Sequence, residues 1–333
     1  MDKTNYSISR LRGLAEDIEE WIAFLEDRSE SDKRVDTYME ESASISVAVE
    51  NVQKMTKEHY EGKTNNIVGL ATGFKDLDIM TGGLSKGEVT VIAGRPSMGK
   101  TALVLSILRY VSIDSKTPCG YLSLEMSKDQ LAQRMLCSIA HVNAHKVRTG
   151  FLSQTDWPKL VDAAQKLSEA PIFIDDTQAL SPGEMEKKLR DLKYKHNIQF
   201  AVVDYLQCTA GMSVKWANDY KMTVFTALLK KLARELDITI IVLSQLPRSV
   251  EERSDHRPYL SDLREYGDMV NMVDRVLLLY REEYYEPTET NRGQAEIIVA
   301  KQRRGPFGCV RVKFLSEYTK FVDLADHEGI DEF

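Results

Sequence analysis

Residues 94–101 read GRPSMGKT, a glycine-rich segment that ends in a lysine and a threonine. The spacing fits the phosphate-binding pattern G-x-x-x-x-G-K-[ST], in which glycines let backbone N–H groups turn toward a phosphate. A predicted strand leads into the segment, a predicted apolar helix at 102–110 leads out, and the helix N-terminus adds positive potential. The segment therefore predicts a site for a magnesium–nucleotide complex, with a ligand-free glycine-rich turn as the alternative.

In this chemistry the lysine reaches the β- and γ-phosphates and the threonine hydroxyl binds Mg²⁺. The predicted nucleotide contacts are the whole segment and the residue after it: Gly94, Arg95, Pro96, Ser97, Met98, Gly99, Lys100, Thr101 and Ala102.

Hydrolysis also needs a carboxylate on the metal side and a group that orients water. Asp204 ends the apolar run FAVVD, Glu125 ends YLSLE, and Gln245 follows IIVLS. In a parallel sheet such strand ends meet at one edge, where ligands bind. We predict that Asp204 binds Mg²⁺, Glu125 activates water and Gln245 senses the γ-phosphate. Asp175 and Asp176 also end a strand, and we predict a loop or helix-start role for them.

The remaining pattern is an alternation of strands and helices, which indicates an α/β fold with a mostly parallel sheet covered on both faces. Helices are predicted at 128–140 and 183–195. The predicted strands are 88–93, 120–125, 171–175, 198–204, 238–244, 275–280, 295–301 and 308–315. The last two flank QRRGPFG and predict a hairpin.

The 333 residues carry a formal net charge of −7, which argues against a whole surface adapted to nucleic acid but allows local cationic contacts. No run of 18 apolar residues predicts a membrane span, and the N-terminus lacks a signal-peptide core. Four separated cysteines favour a reducing cytoplasm. Residues 1–66 show two amphipathic helical patterns and a linker, so we expect a helical segment at 1–66 and a main domain at 67–333.

The most cationic short run is VAKQRRGPFG at 299–308. It could be a solvated turn, a nucleic-acid contact or a catalytic charge aimed at a bound anion. Side chains alternate along a strand, so Lys301 and Arg303 should share a face while Arg304 points elsewhere. Two cations on one face suit a phosphate that develops charge.

Two loops that follow strand ends, 208–222 and 246–268, could contact single-stranded DNA through cations and an aromatic ring. The arginines of the second loop alternate with acidic residues, so several are expected in surface ion pairs.

Five blocks then occur in order along the chain: TGFKDLDIMTGGLSKGEVTVIAGRPSMGKTAL, LSLEMS, VVDYLQ, LSQLPRSVEERSDHRPYLSDLREYGDMVNMVDRVLLLYR and AKQRRGPFG. Together they closely resemble the C-terminal RecA-like motor of DnaB-type replicative DNA helicases, bacterial or phage-encoded, over about residues 67–320. The phosphate-binding segment alone would indicate only an NTPase, whereas five blocks in this order are specific.

The resemblance implies ATP and Mg²⁺ as cofactors, a ring-shaped homo-oligomer (a hexamer), single-stranded DNA as the substrate, and a cytoplasmic location. A helicase loader and a primase are further implied partners. It assigns roles to matching positions: a catalytic glutamate at Glu125, a Walker-B aspartate at Asp204, a sensor glutamine at Gln245, and an arginine against the nucleotide base at Arg134. The segment DLREYGD matches a loop that holds DNA phosphates through Arg264, Glu265 and the backbone near Gly267. Lys301 and Arg303 match a basic pair that reaches the γ-phosphate bound by the adjacent subunit.

The chain also departs from the family pattern. Tyr266 stands where the family usually has a small residue, and Arg304 replaces a usual asparagine. Residues 1–66 look like only the tail of the family's helical collar plus its linker helix, as in a truncated piece or a natural short form. Two other functions stay open: a RecA-like recombinase or clock-type ATPase, and a module that binds ATP and DNA without unwinding.

Overall fold

The computed structural model of the protein describes residues 67–204, 215–266 and 269–324, except for the side chains of 215–221 and 264–266. The chain divides into two compact units, and the second, Ile67–Phe333, contains every described residue. The helical segment predicted for 1–66 lies outside the described residues and stays a prediction.

One sheet of nine strands runs through the described part of this unit. The strands are β1 (Val89–Gly94), β2 (Cys119–Ser123), β3 (Ile172–Asp175), β4 (Phe200–Asp204), β5 (Thr239–Gln245), β6 (Arg275–Tyr280), β7 (Gln294–Gln302), β8 (Gly308–Leu315) and β9 (Lys320–Asp323). Their order is β3-β2-β4-β5-β1-β6-β7-β8-β9. Pairing is parallel from β3 to β6 and antiparallel from β6 to β9. The predicted mostly parallel α/β sheet is confirmed.

Eight α-helices connect or flank these strands in the described ranges: α1 (Lys75–Thr81), α2 (Lys100–Arg109), α3 (Lys128–Ala140), α4 (Ala144–Thr149), α5 (Asp156–Ser168), α6 (Pro182–His196), α7 (Lys215–Glu235) and α8 (Met269–Met272). Because α7 begins at Lys215, the loop predicted at 208–222 is wrong from Lys215 onward. None of the described helices is long and apolar enough to cross a membrane.

Local sequence fixes where two of the helices start. Ser127 and Gln130 form a capping box at the start of α3, and Ser181 and Glu184 form another at α6, where Pro182 occupies the first turn. In each box the serine hydroxyl and the carboxyl or amide side chain accept hydrogen bonds from backbone N–H groups that a helix cannot satisfy itself. Both helices were predicted from the sequence within one residue of their observed bounds.

Two apolar cores lie on opposite faces of the sheet, which makes the unit three layers thick. Every residue of β1, β4 and β6 is buried, as expected for central strands that are covered on both sides. Helices α1, α2 and α3 cover one face, and α6, α7 and α8 cover the other. A smaller cluster joins α3 to α5 through Ala140, Val142, Leu160 and Ala163.

Parallel pairing gives the sheet two distinct edges. The carboxyl ends of β1 to β6 lie at one edge, which we call the carboxyl edge, and their amino ends lie at the opposite edge, the amino edge. Because β7 runs antiparallel to β6, its last residue, Gln302, pairs with Arg275 at the amino edge. Six residues of β1 separate the two edges by roughly 17 Å at the usual rise of a strand.

The edge strand β9 was not predicted from the sequence. Its Phe321 is 2% exposed, and its ring centroid lies 4.7 Å from that of Phe314 on β8. The Phe321 backbone N–H donates a 3.1 Å hydrogen bond to the Ser106 hydroxyl of α2. β9 is therefore held by the helix that follows the glycine-rich segment, a contact that spans 215 positions of the chain.

We expect Phe321→Ala to lower the free energy of unfolding by about 3–5 kcal/mol, because it empties a buried site between β9 and α2. Phe307→Ala is the matched control: this ring is 66% exposed at the β7–β8 turn, and its removal should change the free energy by less than about 0.5 kcal/mol. Denaturant unfolding of both variants measures the difference. Equal, small losses would show that β9 does not belong to the core.

Candidate nucleotide-binding site

The glycine-rich segment leaves the carboxyl end of β1 and turns into α2 at its second glycine. Gly99 has φ +98°, and a Cβ there would lie 3.0 Å from the Phe321 ring. At Gly94 a Cβ would lie 3.0 Å from the Leu279 carbonyl oxygen of the neighbouring strand β6. Glycine at position 99 therefore permits the left-handed backbone, and glycine at position 94 permits the close approach of β6.

Three outside contacts fix the segment's shape. The Arg95 guanidinium pairs with Glu251 at 2.9 Å and donates a 2.6 Å hydrogen bond to the Leu246 carbonyl oxygen. Arg281 donates to the Ser97 carbonyl oxygen at 3.2 Å, a contact that sequence analysis missed. The side chains of Met98 and Ala102 are buried in the core. These two residues can meet a ligand only through their backbone atoms. Pro96 is exposed and has no N–H group to donate to a phosphate.

Lys100 lies at the start of α2 with its ammonium group folded back onto the segment. Its Nζ donates to the carbonyl oxygens of Gly94 at 2.8 Å and Arg95 at 3.1 Å. Burial lowers the pKa of Lys100 to about 8, although the charges of Asp204 and Glu125 oppose that shift. A desolvated ammonium held only by neutral carbonyl groups gains most from an incoming anion, so Lys100 suits a phosphate.

Thr101, at the start of α2, and Asp204, at the end of β4, meet at the carboxyl edge and present a pair of oxygen atoms. The Thr101 hydroxyl donates a 3.1 Å hydrogen bond to Asp204 Oδ2, and the Tyr121 hydroxyl donates a 2.6 Å hydrogen bond to the same oxygen. Asp204 is almost fully buried, and this burial raises the pKa of its carboxyl group. Mg²⁺ prefers oxygen ligands and commonly takes one or two from protein, with the rest from phosphates and water. The Thr101–Asp204 pair fits that ion.

Tyr121 is a residue of this site that sequence analysis did not identify. It is fully buried on β2, and burial raises the pKa of its hydroxyl well above the ordinary value. A buried tyrosine hydroxyl needs a hydrogen-bond partner. The tyrosine in the run GYLSLE was therefore a sign of a polar partner on a neighbouring strand. The register pairs Ser123 with Asp204, which places β2 directly beside β4.

Glu125 lies two residues beyond β2 and reaches solvent. Partial burial raises the pKa of its carboxyl group, and the charge of Asp204 raises it further, whereas Lys100 and Arg134 lower it. An exposed carboxyl group with a raised pKa, close to Asp204, is suited to accept a proton from water.

Gln245 is the last residue of β5, and the sheet register pairs it with Gly94. The following residue, Leu246, donates its N–H to the Gly94 carbonyl oxygen at 3.2 Å. The glutamine therefore lies next to the start of the glycine-rich segment. The predicted contact with the terminal phosphate stays a prediction.

Arg134 lies on α3 and lines a cleft of about 340 Å³. Its charge favours the ionised forms of both Asp204 and Glu125, which places it on the same side of the sheet end. The cleft walls come from α3, α4 and the turn before β9: Met126, Gln130, Gln133, Arg134, Cys137, Ala144, His145, Arg148 and Thr319.

The aspartate that ends β3 and the one that follows it have the role predicted for them. Asp176 accepts a 3.0 Å hydrogen bond from the Lys128 backbone N–H at the start of α3. Asp175 pairs with Lys188 and accepts the Thr177 N–H at 3.0 Å. Both are structural groups of loops and helix starts, as expected.

Lys301 and Arg303 lie at the amino edge, away from this site. Arg303 Nε is 3.3 Å from Asp274, the residue just before β6, and Lys301 Nζ lies at the carbonyl oxygens that end α8. Lys301 and Arg303 were predicted to share a face, and their charges do interact in the structure. The two cations cannot reach the glycine-rich segment of their own chain, because the length of β1 lies between.

Two of the arginines after β5, Arg253 and Arg257, form ion pairs. Arg253 forms a two-pronged ion pair with Asp262, with contacts of 2.9 and 2.6 Å, and Arg257 pairs with Glu296. These pairs confirm the expectation that several of them are structural. The predicted DNA contacts Arg264, Glu265 and Gly267 lie outside the described side chains and stay predictions.

Comparison with known proteins identifies this arrangement. Residues 69–323 match the family described as the DnaB-like helicase C terminal domain. The chain is 41% identical over 284 residues to the replicative DNA helicase DnaB of Geobacillus stearothermophilus, covering 83% of this chain and 63% of that protein. It is 41% identical over 268 residues to the replicative DNA helicase DnaC of Bacillus subtilis (strain 168), covering 80% and 59%. The chain thus spans about three fifths of the length of these relatives.

Solved structures agree. A DnaB-like replicative helicase, described with its interactions with primase, superposes with a TM-score of 0.74 at 32% identity, covering 96% of this chain and 78% of that one. A separately solved ATPase domain superposes with a TM-score of 0.75 at 37% identity, covering 83% and 98%. With the glycine-rich segment, Glu125, Asp204 and Gln245 at one sheet edge, the chain belongs to the family of DnaB-like helicase C-terminal domains.

Proposed function

We propose that this chain is a Mg²⁺-ATP-driven replicative DNA helicase motor that works as a ring. The observation that carries the proposal is the separation of two half-sites. The carboxyl edge holds phosphate, metal and water-activating groups, and the amino edge holds Lys301 and Arg303. In a head-to-tail ring each amino edge can meet the carboxyl edge of the next copy, so that two copies complete one site.

Within one copy, each group has a defined task. Lys100 leaves the Gly94 and Arg95 carbonyl oxygens to bind the β- and γ-phosphates, while backbone N–H groups of residues 97–102 surround them. Mg²⁺, held by Thr101 and Asp204, supplies charge neutralisation at the phosphate oxygens when bound. Tyr121 keeps the Asp204 carboxylate oriented. The cleft beside Arg134 has the volume and the planar cation to hold the nucleotide base.

Glu125 accepts a proton from the attacking water, and Gln245 contacts the γ-phosphate to report whether it is present. Charge that develops on the transferred phosphoryl group is met by a cation from the neighbouring copy, and arginine suits this planar, multi-oxygen target. The half-exposed Arg303 can leave its edge for that purpose (48% of its side chain is exposed).

The substrate we propose is single-stranded DNA, held by the segment that contains Arg264, Glu265 and Gly267. Support comes from the family membership and from the position of this segment, which lies in the connection between the carboxyl end of β5 and β6. Phosphate contacts from a few cations can bind DNA even on a chain with net charge −7.

We further propose a hexameric ring, a helicase loader and a primase as partners, and a cytoplasmic location. One solved relative is described with its interactions with primase, which supports that partner. Residues 1–66 would act as a collar remnant and linker helix, and residues 67–333 as the motor.

The experiment that tests the function combines unwinding of a forked duplex with a mass measurement of the assembly. We expect ATP-dependent strand separation by a ring. Filament growth on DNA without strand separation would instead indicate a recombinase, and binding of ATP and DNA without unwinding would indicate a module that is not a motor.

Lys100→Ala should reduce ATP hydrolysis by roughly a hundredfold or more, because it removes the cation that stabilises phosphate charge. Lys195→Ala, which removes an exposed lysine on α6, is the matched control and should hydrolyse ATP normally. Steady-state phosphate release measures both. Normal turnover by Lys100→Ala would contradict the site assignment.

ATP affinity should depend on pH through Lys100. The protonated ammonium binds phosphate and its pKa in the free protein is about 8, so affinity is full below pH 8 and is lost as pH rises above it. Titrations at pH 7 and pH 9 should differ by about tenfold. In Lys100→Arg the guanidinium stays charged, so the dependence should vanish. An equal dependence in that variant would assign the titration to another group.

A further inference from the structure

The glycine-rich segment contains one residue in a conformation that its type disfavours. Ser97 has φ +65°, in the left-handed region that residues other than glycine rarely adopt. The Met98 N–H donates to the Arg95 carbonyl oxygen at 3.4 Å and closes a four-residue turn. Pro96 is the second residue of this turn and Ser97 the third, as in a type II turn, where glycine is favoured at the third position. Ser97 therefore carries a conformational cost that glycine would not.

Arg281, the residue after β6, holds this turn from outside. Its Nη1 donates to the Ser97 carbonyl oxygen at 3.2 Å. The rest of the guanidinium is fixed by two neighbours. Its Nε and Nη2 donate to Glu283 Oε1 at 3.1 and 2.6 Å, and its central carbon lies 4.2 Å from the centroid of the Phe314 ring. Because only 12% of its side chain is exposed, Arg281 presents Nη1 to Ser97 from a well-defined position.

This contact sets the direction of a backbone N–H group. The Ser97 carbonyl group and the Met98 N–H belong to one planar trans peptide unit, in which they point in opposite directions. Because Arg281 holds the carbonyl group outward, the N–H points inward, to the Arg95 carbonyl oxygen. Lys100 Nζ lies 3.1 Å from the same oxygen, which marks this side of the segment as the phosphate side. Arg281 thus orients a phosphate-facing donor from behind.

We propose that Arg281 is a positioning residue for nucleotide binding: it holds Ser97 in the left-handed conformation and so keeps the segment shaped for phosphate. The inference rests on the proposed function, because it concerns the same nucleotide site. Without Arg281 the segment relaxes to conformations in which Ser97 is not left-handed, and only the remaining fraction of molecules binds nucleotide. The apparent affinity falls in proportion to that fraction. Bound phosphate then holds the segment itself, so the hydrolysis step is spared.

The first test is Arg281→Met, which removes the donors and keeps an unbranched side chain over the Phe314 ring. The Kd of a non-hydrolysable ATP analogue with Mg²⁺, measured by calorimetric titration, should rise roughly five- to thirtyfold, the range set by the cost of a left-handed residue that is not glycine. Steady-state phosphate release should show a similar rise in KM and a kcat within about twofold of wild type. In the nucleotide-free protein, backbone amides of residues 97–99 should exchange hydrogen faster.

The decisive test is rescue by Ser97→Gly in the Arg281→Met protein. Glycine adopts positive φ without steric cost, so the double variant no longer needs the arginine and should bind the analogue within about threefold of wild type. Ser97→Ala in the same protein is the matched control, because it also removes the hydroxyl group but keeps the Cβ. It should stay as weak as Arg281→Met alone. A loss caused by missing positive charge, or by direct contact of Arg281 with phosphate, would not be rescued by glycine.

Arg281→Lys provides a second route if the methionine variant does not fold. Lysine keeps the charge, but its single ammonium group cannot replace the fork that contacts Glu283 and Ser97 together, so it should show a smaller loss of affinity that Ser97→Gly also removes. Arg292→Met, which removes an exposed arginine from the turn before β7, should bind the analogue as wild type does. Thermal unfolding verifies that each variant is folded.

Two results would overturn the inference: wild-type affinity in folded Arg281→Met, or a loss of affinity that Ser97→Gly and Ser97→Ala leave equally uncorrected. In the first case Arg281 does not contribute to nucleotide binding, and in the second it does not act through the conformation of Ser97. A wild-type protein that binds no nucleotide would instead overturn the proposed function.

Discussion

Parallel pairing of β1 with its neighbours β5 and β6 is the constraint on which the site depends. It sets Gly94 beside Gln245 and, one strand further, brings the end of β4 to the same edge. The strand pairing alone therefore brings the polar groups at the ends of these strands together, and no separate loop conformation is needed. This register is hard to change, because Gly94 lies close to β6 and because β1 is buried on both of its faces. Each strand that contributes a chemical group is also a strand that holds the core together.

The same pairing creates the opposite edge, and the antiparallel β7 returns the chain to it. One chain thus carries an anion site at one edge and a cation pair at the other, separated by the length of β1. Asp274 is central at the amino edge because it touches the start of β1, the helix α7 through Lys230, and Arg303. Leaving the buried Asp274 carboxylate without these partners would cost much free energy, so its position is well defined. The position of the Arg303 guanidinium that it contacts is defined in the same way.

Much of this could be predicted from the sequence because it is encoded locally. The glycine-rich segment, the polar residues that end apolar runs and the capping boxes each need only a few adjacent residues. Other parts depend on contacts that no local pattern contains. Strand β9 is held by the contact of Phe321 with α2, which is far away in the chain. Tyr121 contributes to the site only through its hydrogen bond to Asp204 on another strand. Strand β7 has a bulge at Ala300, because Val299 pairs with Leu277 whereas Lys301 pairs with Val276. Alternation alone could therefore predict that Lys301 and Arg303 share a face but not that Lys301 contacts the end of α8.

The central claim is that two copies complete each ATP site, and complementation between two inactive variants tests it most directly. Lys100→Ala lacks the phosphate lysine but keeps Arg303, and Arg303→Ala has the reverse defect. Each alone should hydrolyse little ATP. In equally mixed rings about a quarter of the interfaces should combine an intact Lys100 with an intact Arg303 from the neighbour, so hydrolysis should recover to about that fraction of the wild-type rate. If the mixture stays as inactive as its components although mixed rings form, the two residues do not serve one site across the interface.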